Sequence, residues 1–359
     1  MIPLLALLLS ADFREHVIAT DLKGGYQVVA ADLNHDGKPD LIALASGMSE
    51  LVWYENPNWE RHVIASGLAG MINLAYANDQ IVLAYGFSNV YANSKGSIAV
   101  LQPNGDPRQP WTLAEIDHLP TSHRIRTAVF DQSMVFISAP LIGEKAVAPD
   151  YRDHVPLIYY KPGEWKRRVI ALDNEGVQHG ITTIDWDGRS RDAILTASFS
   201  GIDLYRFIKN KWKRTEISKG NPEPWPKSGS SDVAVGYLGK QRFLAAIEPW
   251  HGNKVAVYTQ HGGEWRREQI DDTLVDGHTI LTADLDGNGR EQIVAGMRGK
   301  PYQVLIYTNE KGHWTRKVLD TGTMAAAACT AIDLNGDHKI DLACIGSATT
   351  NLKWYENVK

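Results

Sequence analysis

The chain has 359 residues, 43% hydrophobic and 22% charged, with a formal net charge of −5, values ordinary for a globular protein. This balance excludes a strongly basic nucleic-acid footprint and a disordered charged tail, and no internal apolar run reaches the roughly 18 residues needed for a membrane-spanning helix. The N-terminal run MIPLLALLLSADF resembles the hydrophobic part of a signal peptide with a small-residue exit at Ser10 and Ala11, although no Lys or Arg precedes it. The expectation is a leader over residues 1–11, a single folded unit over 12–359, and a secreted or periplasmic location.

An aromatic-led strand then recurs seven times: FREHVIA from Phe13, WERHVIA from Trp59, WTLAEID from Trp111, WKRRVIA from Trp165, WKRTEIS from Trp212, WRREQID from Trp265 and WTRKVLD from Trp314. The starts lie 46 to 54 residues apart. Three more short β-rich runs, separated by turn residues, fill each interval, as in GYQVVAADL, LIALAS and ELVWYEN of the first unit. A four-stranded unit has two faces and cannot bury both alone, so seven such units predict an all-β, seven-bladed β-propeller with antiparallel blades. The chain starts with an outermost-type strand and stops after a third-type strand, LKWYEN, so the N-terminal strand is expected to complete the last blade and close the ring. The repeated Trp residues then pack between blades, and the Arg and Lys beside them in WKRRVIA and WRREQID read as a solvated surface.

Four hairpins carry acidic loops. Asp32, Asn34, Asp36 and Asp40 occur in the first; Asp284, Asp286 and Asn288 in the sixth; Asp333, Asn335, Asp337 and Asp341 in the seventh. In the fourth, Asp185, Asp187 and Asp192 are interrupted by Arg189. Oxygen ligands at alternate positions let a tight loop wrap Ca²⁺, so two to three structural Ca²⁺ sites are expected; the same residues are also good hairpin formers without metal. Arg189 argues against a cation in the fourth loop. These loops resemble the FG-GAP or VCBS repeats, whose propeller blades carry D-x-[DN]-x-[DN]-G-x-x-D between the first two strands. The segments EPWHGNKVAVYTQ (Glu248 to Gln260) and DGHTILTADLDGNG (Asp276 to Gly289) resemble, more narrowly, the propeller part of aldos-2-ulose dehydratases. That resemblance implies sugar dehydration; it implies no isomerase function, which would reside in other domains.

Strand order places a second set of residues on the opposite face. The loops leading into innermost strands carry His123, Arg124 and Arg126, His179, Ser231 and Asp232, and His278. The loops between second and third strands carry Glu248, Trp250 and His251, and Arg298. Trp225 lies nearby, and the segment Pro140 to Pro156, with Lys145 and Tyr151, is long enough to fold over the mouth. Two readings stand. In the first, a carbon–oxygen lyase removes water or an alkoxide from a carbohydrate, with His179 or His278 as base, Arg124 or Arg298 stabilising the enolate-like charge, and His251 as acid. His123 belongs to the same group, Trp250, Trp225, Glu248, Tyr151 and Lys145 bind the sugar, and a Zn²⁺ shared by histidines is the alternative electrophile. In the second, the propeller binds a glycan or protein partner without chemistry. The two cysteines, Cys329 and Cys344, face each other if Ile332 opposes Asp341, and are read as small buried hydrophobes rather than a disulfide.

Overall fold

The computed structural model describes residues 11–189 and 191–359. They form seven four-stranded antiparallel sheets, each built from consecutive strands except the last. The innermost strands are β2 (Gly25–Ala31), β6 (Asn73–Ala77), β10 (Ser122–Phe130), β14 (Gln178–Ile184), β18 (Asp232–Leu238), β22 (Gly277–Ala283) and β26 (Ala326–Ile332). Each touches the innermost strand of the next blade, and β26 returns to β2, so the ring is closed. In the last blade, β1 (Phe13–Ala19) lies antiparallel to β28 (Leu352–Asn357), with Phe13 opposite Asn357 and Val17 opposite Lys353. The expected seam is therefore present.

The expected leader lies outside the described residues except for Ala11, which belongs to the packed body. Its amide donates to Asp286 Oδ1 at 2.7 Å, and its carbonyl accepts from Lys317 Nζ at 2.7 Å.

The core is a series of layers between neighbouring blades. One runs through blades one to three around Trp53, Ile81 and Phe136, and another joins blades five and six around Phe243 and Tyr307. In blades four to six the aromatic that leads the outer strand reaches back to the preceding blade: Trp212 packs on Phe130, Trp265 on Trp186, and Trp314 on Phe243. Each fully buried apolar side chain contributes about 1.5–3 kcal/mol, and no blade can collect that gain without its neighbours.

Two expectations are corrected. Cys329 opposes Cys344 in the predicted register, with Ile332 opposite Asp341, but the two sulfurs form a cross-strand disulfide. The close Cα approach of 4.1 Å in this pair brings the two side chains together. The outer-strand arginines are also not uniformly solvated. Arg167 donates to Asp117 of the preceding blade through Nε and Nη2 at 2.8 Å each, and Arg267 Nε donates to the fully buried Glu248 at 2.9 Å. A tyrosine of the third strand shares several of these carboxylates: Tyr160 donates to Asp117, Tyr307 to Asp271 and Tyr355 to Asp320. In these three blades the recurrent Tyr is thus a buried clasp to the preceding blade.

Candidate functional site

A backbone device explains why the histidines converge. In five blades the pairing of the innermost strand slips by one residue near its start, and the extra residue is Tyr26, His123, His179, His278 or Ala327. A β-bulge of this kind leaves one residue out of the ladder and re-aims its side chain. Repeated around a ring, it points one residue per blade at the axis. His251 arrives differently, from the hairpin turn of the fifth blade, where its φ of +49° places it in the left-handed region and its amide donates to Ser231 Oγ at 3.2 Å.

The rings form a packed layer across the mouth. Ring centroids lie 4.8 Å apart for His123 and His179, 4.9 Å for His179 and His251, 5.1 Å for His251 and His278, and 5.2 Å for His179 and His278. His123, His179 and His278 are buried and His251 is partly exposed. Burial, and then the positive charge of Arg124 or Arg298, holds His123, His179 and His278 well below the ordinary histidine range, and burial with Arg298 lowers His251 to about 3. All four are therefore neutral at physiological pH.

Neutral imidazoles leave lone pairs, and the surroundings decide where. His179 Nδ1 lies 3.0 Å from the Ser231 carbonyl and His278 Nδ1 lies 2.6 Å from the Ala327 carbonyl. A carbonyl only accepts, so His278 Nδ1 carries the proton; His179 Nδ1 also meets the donor Arg124 Nη2 at 3.4 Å, but the shorter contact to the carbonyl assigns the proton there too, which leaves the lone pair on both Nε2 atoms. His278 Nε2 is buried with no partner among the described residues, and His179 Nε2 meets His251 Nε2 at 3.2 Å. His251 Nδ1 lies between Arg298 Nη2 at 3.1 Å and Asp276 Oδ1 at 3.3 Å, while Arg298 is itself gripped by both oxygens of Asp276. Among the described residues, His179, His251 and His278 are the one group of three His, Cys, Asp or Glu side chains whose ligand atoms gather this closely, all within 4.8 Å. Zinc bonds nitrogen at about 2.0–2.1 Å, which asks for neighbouring nitrogens about 3.4 Å apart, so the set needs only a small closure. Backbone carbonyls on two rings and a carboxylate beside the third are the outer partners that metal-binding histidines require. The residues fit a zinc ion.

The remaining histidine is distinct. His123 Nε2 lies 2.7 Å from the Tyr26 hydroxyl, its Nδ1 is buried without a partner among the described residues, and Tyr26 packs edge-on to His278 with centroids 5.2 Å apart. Tyr26 and Asp276 were not singled out from sequence. Tyr26 carries no motif and is marked only by its place, one residue after Gly25 at the start of an innermost strand; Asp276 stands two residues before His278.

Other expected residues divide. Arg124 supports the layer, with Nε donating to the His179 carbonyl at 2.8 Å and Nη2 4.0 Å from Asp232. Segment 140–156 does cover this end: Tyr151 packs against Phe199 and Trp250, the Trp225 indole donates to the Asp150 carbonyl at 2.7 Å, and Arg152 stacks on Trp225 at 4.4 Å. Trp250 is tilted against His251 with centroids 4.7 Å apart. Lys145 points to solvent on the same segment. Glu248 is fully buried and bound within its own blade by Tyr258, Ser230 and Arg267.

At the opposite end, the three acidic loops share one conformation. Asp32, Asp284 and Asp333 each accept two backbone amides of their own loop through the two carboxylate oxygens, at 2.7–3.1 Å. His338 takes the place of Gly37 and adopts φ +67°, so the bend forms without glycine there. Asn34, Asn288 and Asn335 likewise cap loop amides, as does Asp337, and Asp36 caps Lys38. Asp40 and Asp341 are buried and each clasps two amides, those of Leu33 and Asn56 or of Leu334 and Asn357. Burial pushes Asp40 up to about 6. Asp286 accepts from Ala11 and from Gln292 Nε2, the latter at 3.1 Å.

Comparison with known proteins bears on both ends. Residues 95–261 match the family model described as aldos-2-ulose dehydratase, β-propeller domain. The chain resembles that propeller. The matched region holds His123, Arg124, His179, Trp225, Trp250 and His251, and stops before His278 and Arg298. FG-GAP-type repeat models match residues 24–49 and 284–344, which contain the first, sixth and seventh acidic loops. The aldos-2-ulose dehydratase of Phanerodontia chrysosporium is 27% identical over 235 residues, covering 57% of this chain and 26% of that protein. The chain thus spans about a quarter of the length of the curated relative it matches. Among the described residues, no helix is long and apolar enough to cross a membrane.

Proposed function

We propose that the histidine end is a zinc-dependent carbohydrate dehydratase site, with His179, His251 and His278 as ligands. The observation that carries this reading is the gathering of three neutral imidazoles whose outer nitrogens face protein acceptors, so that their Nε2 atoms converge. A bound zinc ion supplies Lewis-acid polarisation of a substrate carbonyl or hydroxyl oxygen. His251 is the ring whose proton can move, from Nε2 facing His179 to Nδ1 facing Asp276, and Arg298 holds that carboxylate in place. Assigning the ligands this way moves the proton-transfer role from His179 and His278 to His123 and Tyr26, whose 2.7 Å hydrogen bond offers a base and an acid on one relay. The aromatic cover of Tyr151, Trp225 and Trp250 excludes water from the layer and presents faces on which a sugar ring can stack.

The acidic loops of blades one, six and seven are proposed as structural Ca²⁺ sites, and the protein as exported, in keeping with its disulfide. Metal analysis of the purified protein tests the assignment. About one zinc per chain is expected in the wild type and less than one tenth of that in His179→Ala and His278→Ala, with calcium unchanged in both. Incubation with keto-sugars should generate ultraviolet absorbance from a new conjugated double bond, lost in the same variants. Wild-type protein that stays zinc-free after zinc addition and dialysis would refute the site.

A further inference from the structure

Below the histidine layer the ring encloses a channel of about 440 Å³, lined by all seven innermost strands, a volume within the range of about 300–1,000 Å³ typical of small-molecule sites. Its wall is not electrically balanced. β10 places two guanidinium groups on the channel, Arg124 and Arg126, two residues apart and so on one face of the strand. One carboxylate, Asp232, lines the channel with them, 4.0 Å from Arg124. Arg124 is committed to the His179 carbonyl.

Arg126 has no such counterpart. Among the described residues no carboxylate lies within 4.0 Å of it, and only Nη1 is hydrogen-bonded, to Asn73 Oδ1 at 3.1 Å and to its neighbour's carbonyl, that of Ile125, at 2.8 Å. Its Nε and Nη2 meet no protein acceptor among the described residues. Asn73, fully buried in the same wall, uses Oδ1 for Arg126 and for the Ile125 amide at 2.8 Å, which fixes the amide orientation and leaves Nδ2 a buried donor with no acceptor among the described residues. Arg126 is half-buried; burial and the neighbouring Arg124 lower it to about 10 against the opposing pull of Asp232, so the guanidinium stays charged at neutral pH with no carboxylate in direct contact among the described residues. A half-buried cation with free donors on the channel, beside a buried orphaned donor, is completed by an acceptor that enters the channel.

We infer that the central channel is a binding site for a small organic monocarboxylate, held by Arg126 with Asn73 at its back. Two cations against one carboxylate leave a single positive charge, which suits a monoanion better than a phosphate dianion, and the planar guanidinium edge matches a carboxylate through two parallel N–H donors. The channel also reaches His278, Tyr26's neighbour in the histidine layer, so a sugar acid bound here lies directly beneath that layer. The site needs no metal.

Calorimetric titration of the intact protein with D-glucuronate, with D-glucose as the uncharged control, tests this. Glucuronate should bind and glucose should not, with affinity at least tenfold weaker in Arg126→Gln and partly retained in Arg126→Lys. Zinc content should be the same in both variants as in the wild type, which separates failure of this site from failure of the histidine site. Equal binding of the two sugars, no binding of glucuronate, tighter binding of inorganic phosphate, or an Arg126→Gln variant that binds like the wild type would each overturn the inference. Should Arg126→Gln not fold, the wild-type comparison and Arg126→Lys decide the outcome.

Discussion

The two ends of the ring use repetition in opposite ways. At the acidic end, three loops with different residues arrive at one backbone conformation, down to His338 adopting the left-handed bend that Gly37 makes in the first blade. At the histidine end, one backbone device, the bulge near the start of the innermost strand, recurs in five blades but carries Tyr, His, His, His and Ala. The first pattern holds geometry constant while side chains vary around it, as suits a structural staple. The second holds position constant and varies chemistry, which is how a repeat assembles one asymmetric site from equivalent places.

If that division is sound, removing the closure should damage everything and perturbing single clasps should damage stability alone. Deleting Ala11 to Ala19 strips the last blade of β1 and of its ladder to β28; a fall in melting temperature of about 10 °C or more is expected by calorimetry. An unchanged melting temperature would show that the seam does not hold the ring. Reducing the Cys329–Cys344 disulfide, which closes a loop of 15 residues, should cost about 3 kcal/mol in urea titrations while leaving zinc content intact. Loss of zinc on reduction would break the separation between the two roles.

The smallest effect concerns pH. Buried His278 has a folded pKa well below its unfolded value near 6.5, so the unfolded chain binds the extra proton first as pH falls. The stability it confers is complete above about pH 6.5 and declines below it, by about 1.4 kcal/mol at pH 5.5. Asp40, raised to about 6, works in the opposite direction, so the comparison is made between proteins. With zinc stripped from both proteins by a chelator, the difference in stability between pH 7.5 and 5.5 should shrink by about that amount in His278→Gln, measured by urea titration.

The ring, its seam and the meeting of His123, His179, His251 and His278 were legible because strand order alone decides which loops share a face. What the sequence hid was finer than strand order. A bulge has no residue signature here, since Tyr26 and Ala327 occupy the same place as three histidines, so the division between His123, paired with Tyr26, and the other three had no mark. Glu248 looked like a rim residue because it sits beside Trp250 and His251; its partner Arg267 is 19 residues away and joins it only through the pairing of the third and fourth strands. The disulfide was misread for a related reason: register predicted the facing pair, but nothing in two isolated cysteines distinguishes a bond from two packed thiols.

The seam between β1 and β28 has a consequence far from itself. A hoop has a single circumference, and the distance across the hoop between any two of its staves is set by how tightly it is drawn. His179, His251 and His278 stand on the fourth, fifth and sixth staves, and their spacing is that of the drawn hoop. Loosening the joint at the seventh would widen the gauge between those three rings, so the N-terminal strand bears on the spacing of the proposed zinc site, to which it contributes no atom.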